Sequence, residues 1–497
     1  MTSRPSITAQ SPTAWGRRIA RRVRPRPALV HGAPWSREVR GGPGRVRYAS
    51  PMQVSVIGAG YVGLVTAACL ARLGNDVRCI DIDAARVERL RRGELPIREP
   101  GLDELVSETT AAGRLSFHAE TSASHGSRLV IIAVGTLDAD GEWFGGLVTR
   151  AVEGLARDPD VPRAIVVRST LLPGTAVAIR ELARGIDARI ELAFNPEFTR
   201  EATAVRDFLE PDRVVFGVAD PADGGTLLAD LRTLYAPLEA PMVVTDLTSA
   251  ETIKIASNVF LSAKITFANE LARLCAATGA DVSSVVDGMG LDKRIGRAFL
   301  SPGPGFGGSC FPSQARALPE LAARFGVDAP LMRAITPSNE GQADWLIDRL
   351  EETAGRTVAG WRVAVLGLTF KAGTDDLRES PAMRLATRLV ARGATVQAHD
   401  PIATEAGVAQ LSAAGVVVTA APSPEAACAG TDAVVAATEW PAFRQLDWAA
   451  IAPTMPGRLI ADGRHVIDVA AAGAAGYQVV VMGVPARVAE RSGAEVA

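Results

Sequence analysis

Apolar residues recur along this chain at two spacings that alternate. QVSVI (53–57) is a short apolar run of strand length. It leads into GAGYVGLVTAACLARLG (58–74), where apolar positions return at helical spacing, and then VRCIDID (77–83) is strand-like again. RLVIIAVGT (128–136), RAIVVRST (163–170) and ARIELAFNPE (188–197) carry the alternation to about residue 245. Strands alternating with helices predict an α/β domain with a parallel sheet. From 248 to 279 the chain reads as one long helix, apolar on nearly every side, which predicts burial that includes a subunit contact. Thr248 and Glu251 have the spacing of a capping box at its start. Helical patterns run on to about residue 357. At 361 a second strand–loop–helix–strand unit opens with WRVAVLGLTF and reaches Asp400. The charge-free stretches 406–424 and 469–486 are broken by Gly, Gln and Pro, and predict strands with turns rather than membrane spans.

The first turn carries chemistry. Gly58 permits a tight turn, Gly60 lets backbone approach a pyrophosphate, and Gly63 lets helix pack on strand. Asp81, 18 residues after Gly63, is placed to accept hydrogen bonds from a ribose diol and to repel a 2′-phosphate, so NAD is expected rather than NADP. The second unit keeps only Gly367 of this fingerprint. The chain therefore predicts an α/β fold with two Rossmann-like domains joined by a long central helix and a helical dimerisation region. One domain binds the dinucleotide, and the other is free for a different nucleotide. The expected boundaries are 52–245, 246–357 and 358–497.

Composition narrows the chemistry. Among 497 residues, 47% are hydrophobic and 22% charged, ordinary values for a globular protein. The net charge of −2 hides an asymmetry. Residues 1–51 hold eleven Arg and one acidic residue, leaving 42 basic and 54 acidic residues in 52–497, a net of −12. That Arg-rich extension is expected to be disordered, with Met52 as the expected true start. Five cysteines without paired spacing point to a reducing, cytoplasmic setting, and five scattered histidines form no metal-ligand pattern, so no metal is expected. Neither a nucleic-acid nor a membrane partner is expected. Only four lysines occur, Lys254, Lys264, Lys293 and Lys371, so each is expected to be more than casual surface charge.

Lys254 and Asn258 stand four apart on the long helix, among apolar neighbours, a setting that suits a hydroxyl or a developing oxyanion. NPEFTREA (195–202) has the form of a helix start, with Asn195 as cap and Glu197 and Glu201 on one side. Thr170 ends a strand of the same sheet. Cys69, Cys79, Cys275 and Cys428 fall in apolar patterns and are expected in the core. Cys310 lies in GPGFGGSCFPSQ, ahead of a helix expected to begin at Pro312, where the helix dipole would lower the thiol pKa. Glycines 303, 305, 307 and 308 would leave room for substrate there. A nucleophilic thiol, a dinucleotide and a second nucleotide site combine into one chemistry: alcohol to aldehyde, thiohemiacetal, thioester, then acid, with two NAD used.

Met52 to about residue 485 resembles the UDP-glucose/GDP-mannose dehydrogenase family. The resemblance lies in GAGYVGLVTAACLARLG, PIREPGLDEL, NPEF, PDRVVFG, ETIKIASNVFLSAKITFANE, DKRIG, GFGGSCFP, FKAGTDDLRESPA and DGR, with PDRVVFG similar to the UDP-glucose branch. It implies oxidation of UDP-glucose to UDP-glucuronate, with Cys310 as nucleophile, Lys254 and Asn258 stabilising the oxyanion, and Thr170 and Glu197 assisting a water. NAD would contact Gly58, Gly60, Tyr61, Val62, Gly63, Asp81, Arg86, Thr136, Thr170, Glu201 and Arg378. The sugar nucleotide would meet Glu197, Phe198, Thr199, Arg200, Lys254, Asn258, Phe299, Leu300, Ser301, Pro302, Gly303, Gly307 and Lys371. Arg294 would reach the neighbouring subunit of a homodimer. GDP-mannose or a UDP-N-acetylhexosamine is the alternative substrate. Departures from the family pattern are Ser313-Gln314 for Lys-Asp, Leu137 for Pro, Thr199 for Leu and His465 for Asn. The first of these also allows an impaired, nucleotide-sugar-binding paralogue.

Overall fold

A computed structural model describes residues 51–136, 145–223 and 225–485. The Arg-rich stretch and Leu137, with the expectations attached to them, lie outside the described residues. The first sheet comprises β1 (Gln53–Ile57), β2 (Asp76–Ile80), β3 (Leu115–His118), β4 (Leu129–Ile132), β5 (Ala164–Val167), β6 (Glu191–Phe194), β7 (Val214–Val218) and β8 (Met242–Asp246). Their order is β3-β2-β1-β4-β5-β6-β7-β8, parallel except between β6 and β7. The second sheet comprises β9 (Arg362–Leu366), β10 (Thr395–His399), β11 (Val418–Ala420), β12 (Ala433–Ala436), β13 (Leu459–Asp462) and β14 (Gln478–Val481), in the order β11-β10-β9-β12-β13-β14 and parallel throughout. Both sheets share the doubly wound order, third-second-first-fourth-fifth-sixth. That order puts a switch point between β1 and β4 and another between β9 and β12, where ligands settle beyond the strand ends.

The central strands β4 and β12 are buried at every position, as a parallel sheet with helices on both faces requires. Helix Tyr61–Arg72 packs Leu64 and Leu70 on one face of the first sheet, and helix Thr175–Ile186 packs Ala176 and Ile179 on the other.

The central helix spans Leu247–Thr278, 32 residues, and its start departs from the expected capping box. Asp246 is the cap, accepting from the Ser249 amide at 2.9 Å. Glu251 is fully buried and turned inward, so it accepts instead from the amides of Gly174 (2.7 Å) and Ala176 (2.6 Å), at the start of helix Thr175–Ile186. It satisfies a neighbour's orphan donors rather than its own helix's. Burial pushes its carboxyl up to about 7, against the pull of those two donors. The two charge-free C-terminal stretches also differ from expectation. Each holds a helix before its strand, Thr404–Ala413 before β11 and Val469–Ala474 before β14, because alanine-rich segments favour helix. Among the described residues no helix is long and apolar enough to cross a membrane.

Candidate active site

At the first switch point the glycine turn takes the shape its sequence predicts. Gly58 has φ +103°, a conformation that a side chain disfavours, and its amide donates to the Ile80 carbonyl at 2.7 Å. A Cβ on Gly63 would stand 1.8 Å from the Gly58 carbonyl oxygen, so helix and strand meet there only through glycine. Gly60 faces open space, and helix Tyr61–Arg72 begins without a side-chain cap, which leaves its first amides to an anion. Asp81 lies just past β2. Its Oδ2 accepts from the Ala59 amide (2.7 Å) and from Arg86 (3.0 Å), so the carboxylate that faces the turn also fixes it. Val62 and Thr136 flank the turn half-buried, and Tyr61 donates to Glu99. In the second sheet Asp400 repeats the device, accepting from the amides of Leu368 (2.8 Å) and Thr369 (3.1 Å).

Beyond β6 the chain does not form the helix predicted at Asn195. Residues 195–200 are irregular, and the helix begins only at Ala204. The cause is the engagement of Asn195, whose Oδ1 accepts from Arg168 (2.8 Å) and Tyr235 (2.7 Å) while its amide group donates to the Val215 carbonyl (2.9 Å). Glu197 and Glu201 accordingly point to different partners. Glu197 is buried and its Oε1 accepts from Lys254 Nζ at 2.9 Å; Lys254 itself is 2% exposed. Burial pushes the Glu197 carboxyl up, but the Lys254 ammonium, the Thr199 hydroxyl and Arg168 outweigh it, and it stays below the usual carboxylate range. Glu201 meets Arg378 (3.2 Å) and Thr374 (3.3 Å). Burial and the nearby Asp376 push its carboxyl up to about 7.

Cys310 is itself the first residue of helix Cys310–Arg324, two positions ahead of Pro312. Its side chain reaches solvent, whereas the other four cysteines are buried. The expected lowering of its pKa is not found. Crowding by protein atoms pushes the thiol up, as do the charges of Glu197 and Glu201, while Lys254 and the Ser309 hydroxyl pull it down without prevailing. The glycines ahead of it do not leave open room either. A Cβ at Gly303 would meet Arg464 at 3.0 Å, at Gly305 Asn339 at 2.8 Å, at Gly307 the Glu379 carbonyl at 2.5 Å, and at Gly308 the Phe370 ring at 3.1 Å. These glycines let Arg464, Asn339, Glu379 and Phe370 close on the loop. Asn269 accepts from the Gly303 amide and Asn339 from that of Phe306, both at 2.8 Å.

A nucleotide turn, a buried Lys–Glu pair and a thiol at a helix start thus occupy one chain. Three family models match it in succession: the UDP-glucose/GDP-mannose dehydrogenase family NAD binding domain over residues 52–239, its central domain over 248–341 and its UDP binding domain over 364–469. The chain belongs to this family. It is an NAD-dependent oxidoreductase of the UDP-glucose/GDP-mannose dehydrogenase kind. It is 44% identical over 434 residues to a UDP-glucose 6-dehydrogenase of Pseudomonas aeruginosa, covering 84% of this chain and 94% of that protein. It is 39% identical to one of Rhizobium meliloti, covering 84% and 95%. Among solved structures, a UDP-glucose dehydrogenase from Pyrobaculum islandicum matches with a TM-score of 0.77 at 38% identity, covering 85% of this chain and 96% of that one. A UDP-D-ManNAc dehydrogenase from Pyrococcus horikoshii matches with 0.74 at 26% identity, covering 87% and 99%.

The remaining residues that the family resemblance singled out divide into three groups. Cys310, Lys254, Glu197, Glu201 and Arg378 lie close enough for their charges to act on one another. Asn258 is buried one turn beyond Lys254, Thr170 lies half-buried past β5, and Phe198 places its ring 5.3 Å from Lys254 Nζ. Lys371 donates to the Glu201 carbonyl, and burial lowers its pKa. Others are committed elsewhere. Arg200 pairs with Asp207 at 2.7 Å and Ser301 accepts from Arg297 at 3.2 Å. Leu300 is 2% exposed and packs in the second domain's core, which leaves only its backbone to a ligand; Pro302 is buried, and Phe299 packs near Phe311. Arg294 stands apart from the cluster, fully out in solvent and paired with Asp292 at 2.6 Å. Sequence reasoning missed Arg168, Glu99, Asn269 and Asn339. Their hydrogen-bond partners lie 27 or more residues away along the chain, and no spacing signals such partners.

Proposed function

We propose that this enzyme oxidises C6 of UDP-glucose to the carboxylate of UDP-glucuronate in two hydride steps, through a thiohemiacetal and a thioester on Cys310. Residues 52–245 hold NAD and 358–497 hold the nucleotide sugar. The observation that carries this reading is the buried Lys254–Glu197 pair beside Cys310. A hydroxyacid dehydrogenase that makes one hydride transfer needs a lysine but no thiol. NAD fits the first switch point, where Gly60 is open and the Asp81 carboxylate is held for a diol; when bound it accepts a hydride in each oxidation. Lys254 and Asn258 hold the negative charge on the reacting oxygen. As the Cys310 sulfur bonds to the aldehyde carbon, the carbonyl π pair moves to oxygen, which takes up the thiol proton to give the thiohemiacetal; the Lys254 ammonium steadies the thiolate when it later leaves. UDP-glucose is favoured over an N-acetylated sugar because identity is 38–44% with the named UDP-glucose enzymes above and 26% with the UDP-D-ManNAc enzyme.

With enzyme at micromolar concentration and NAD in excess, UDP-glucose should yield two NADH per sugar, followed by absorbance. One NADH per sugar, or none, overturns the reading.

The same reading includes a homodimer. Phe260, Phe267 and Leu274, seven apart on the central helix, are 67%, 50% and 58% exposed and form an apolar stripe. A Phe260→Glu/Phe267→Glu variant should sediment as a monomer where the parent sediments as a dimer. It should also lose activity if Arg294 acts across the interface; a parent that is monomeric at micromolar concentration refutes this.

A further inference from the structure

Two side chains, one bonded to Glu197 and one a helical turn beyond Cys310, have no role in the reaction as drawn so far. Thr199 approaches Glu197 twice, its amide and its hydroxyl each donating to Oε2 at 2.6 Å. Gln314 follows Cys310 by one helical turn, on the same side of the helix. It is 2% exposed, and its Oε1 has no hydrogen-bond partner among the described residues. Ser313, between them in the helix, is already occupied, since its hydroxyl donates to the Ser309 carbonyl at 2.6 Å. An amide oxygen accepts a hydrogen bond but takes no proton at neutral pH. Gln314 is therefore a buried acceptor one helical turn from Cys310, and not a base. The carboxylate whose charge acts most on the thiol is Glu197, followed by Glu201.

A carboxylate has about four acceptor sites, two on each oxygen. In Glu197 both sites of Oε2 are filled by Thr199, and one site of Oε1 is filled by Lys254. A single site remains, on the oxygen shared with Lys254. We propose that Thr199 is a positioning residue for deacylation. By filling Oε2 it aims the last acceptor site of Glu197, on Oε1, at the hydrolytic water, which Gln314 Oε1 orients by accepting its other hydrogen. The inference rests on the thioester reading above and deepens it. The step balances without an oxidant. The water oxygen bonds to the thioester carbonyl carbon, and its proton passes to Glu197 Oε1. The carbon–sulfur bond then breaks, its electron pair stays on the Cys310 sulfur as thiolate beside Lys254, and the new acid releases its proton to solvent.

The test is rapid-mixing absorbance with UDP-glucose and excess NAD. Thr199→Val keeps the amide and removes the hydroxyl. Steady turnover should fall roughly 10- to 100-fold, the size of one hydrogen bond to a charged group, while the burst of NADH that precedes deacylation slows far less. The acid limb of kcat should move to higher pH, because a donor that favoured the ionised carboxylate is gone, and Thr199→Ser should restore both. Gln314→Asp supplies a second base, so in that background the Thr199→Val defect should shrink. An intact burst with parental turnover in Thr199→Val overturns this inference alone. Equal loss of burst and turnover means that Thr199 is merely structural, and an undiminished defect in the Gln314→Asp background removes Gln314 from the step. Absence of any NADH from UDP-glucose with the parent enzyme overturns the thioester reading itself.

Discussion

Replacing Cys310 by serine should end acid formation, with steady NADH production from UDP-glucose falling on the order of 10³-fold or more. The substitution is nearly isosteric at a side chain that reaches solvent, and the loop before it is held by contacts that a serine leaves alone. Among these are the Gly308 amide on the Arg378 carbonyl (2.9 Å) and Asn339 on Phe306. Thermal unfolding should therefore match the parent's, which isolates the effect as chemical. The loss should be large despite the raised pKa of the thiol. A sulfur that loses its proton as it adds to an aldehyde remains far more nucleophilic than a hydroxyl in the same place, and only a thioester presents carbonyl carbon with a good leaving group. The variant should still complete the first oxidation, giving about one NADH per active site and an aldehyde that hydroxylamine traps. Sustained release of two NADH per sugar by Cys310→Ser would remove the thiol from the mechanism.

The elements that were legible in the sequence are those whose partners lie nearby along the chain. β1, its glycine turn and Asp81 fall within thirty residues, and their periodicity and backbone demands are local, so the turn took the predicted form. The second unit was legible for the same reason, with Asp400 repeating the role of Asp81 although the glycine run is gone. What failed was every inference that assigned a polar side chain to its own element. Asn195 was read as a helix cap, but Arg168 and Tyr235 claim it. Glu251 was read as half of a capping box, yet it binds amides seventy-five residues and more away. The glycines before Cys310 were read as space for substrate and are instead filled by Arg464, Asn339 and Phe370. Local rules name the donors and acceptors; burial then selects their partners, and burial is decided by the whole fold. Lysine scarcity is a compositional signal and separates the four no further: Lys254 is buried against Glu197, whereas Lys293 is exposed.

Lys254→Met should damage both catalysis and folding, and the pH dependence of the folding defect separates the two. The ammonium at 2.9 Å from Glu197 is the positive charge that pulls the Cys310 thiol down, so its loss should lower kcat roughly 10²- to 10³-fold, the usual cost of one group that stabilises an oxyanion. It also strands a buried carboxylate, at about 3–5 kcal/mol for breaking such a pair from one side. In the parent, Glu197 is held below the usual carboxylate range. Its contribution to stability is complete at neutral pH and disappears on acidification through that lowered value. In the variant, only the Thr199 donors and the Arg168 charge still oppose burial, and the folded carboxyl should rise above its unfolded value. The folded state then binds more protons than the unfolded one, and stability falls as pH rises through that window. Melting temperatures from pH 4 to 8 should thus slope in opposite directions in parent and variant. Adding Glu197→Gln should recover much of the stability lost at neutral pH and none of the activity, since a neutral amide removes the stranded charge and the base together. A Lys254→Met protein whose stability parallels the parent's at every pH would show that the pair is not coupled in folding, and any kcat loss would then belong to the reacting oxygen alone.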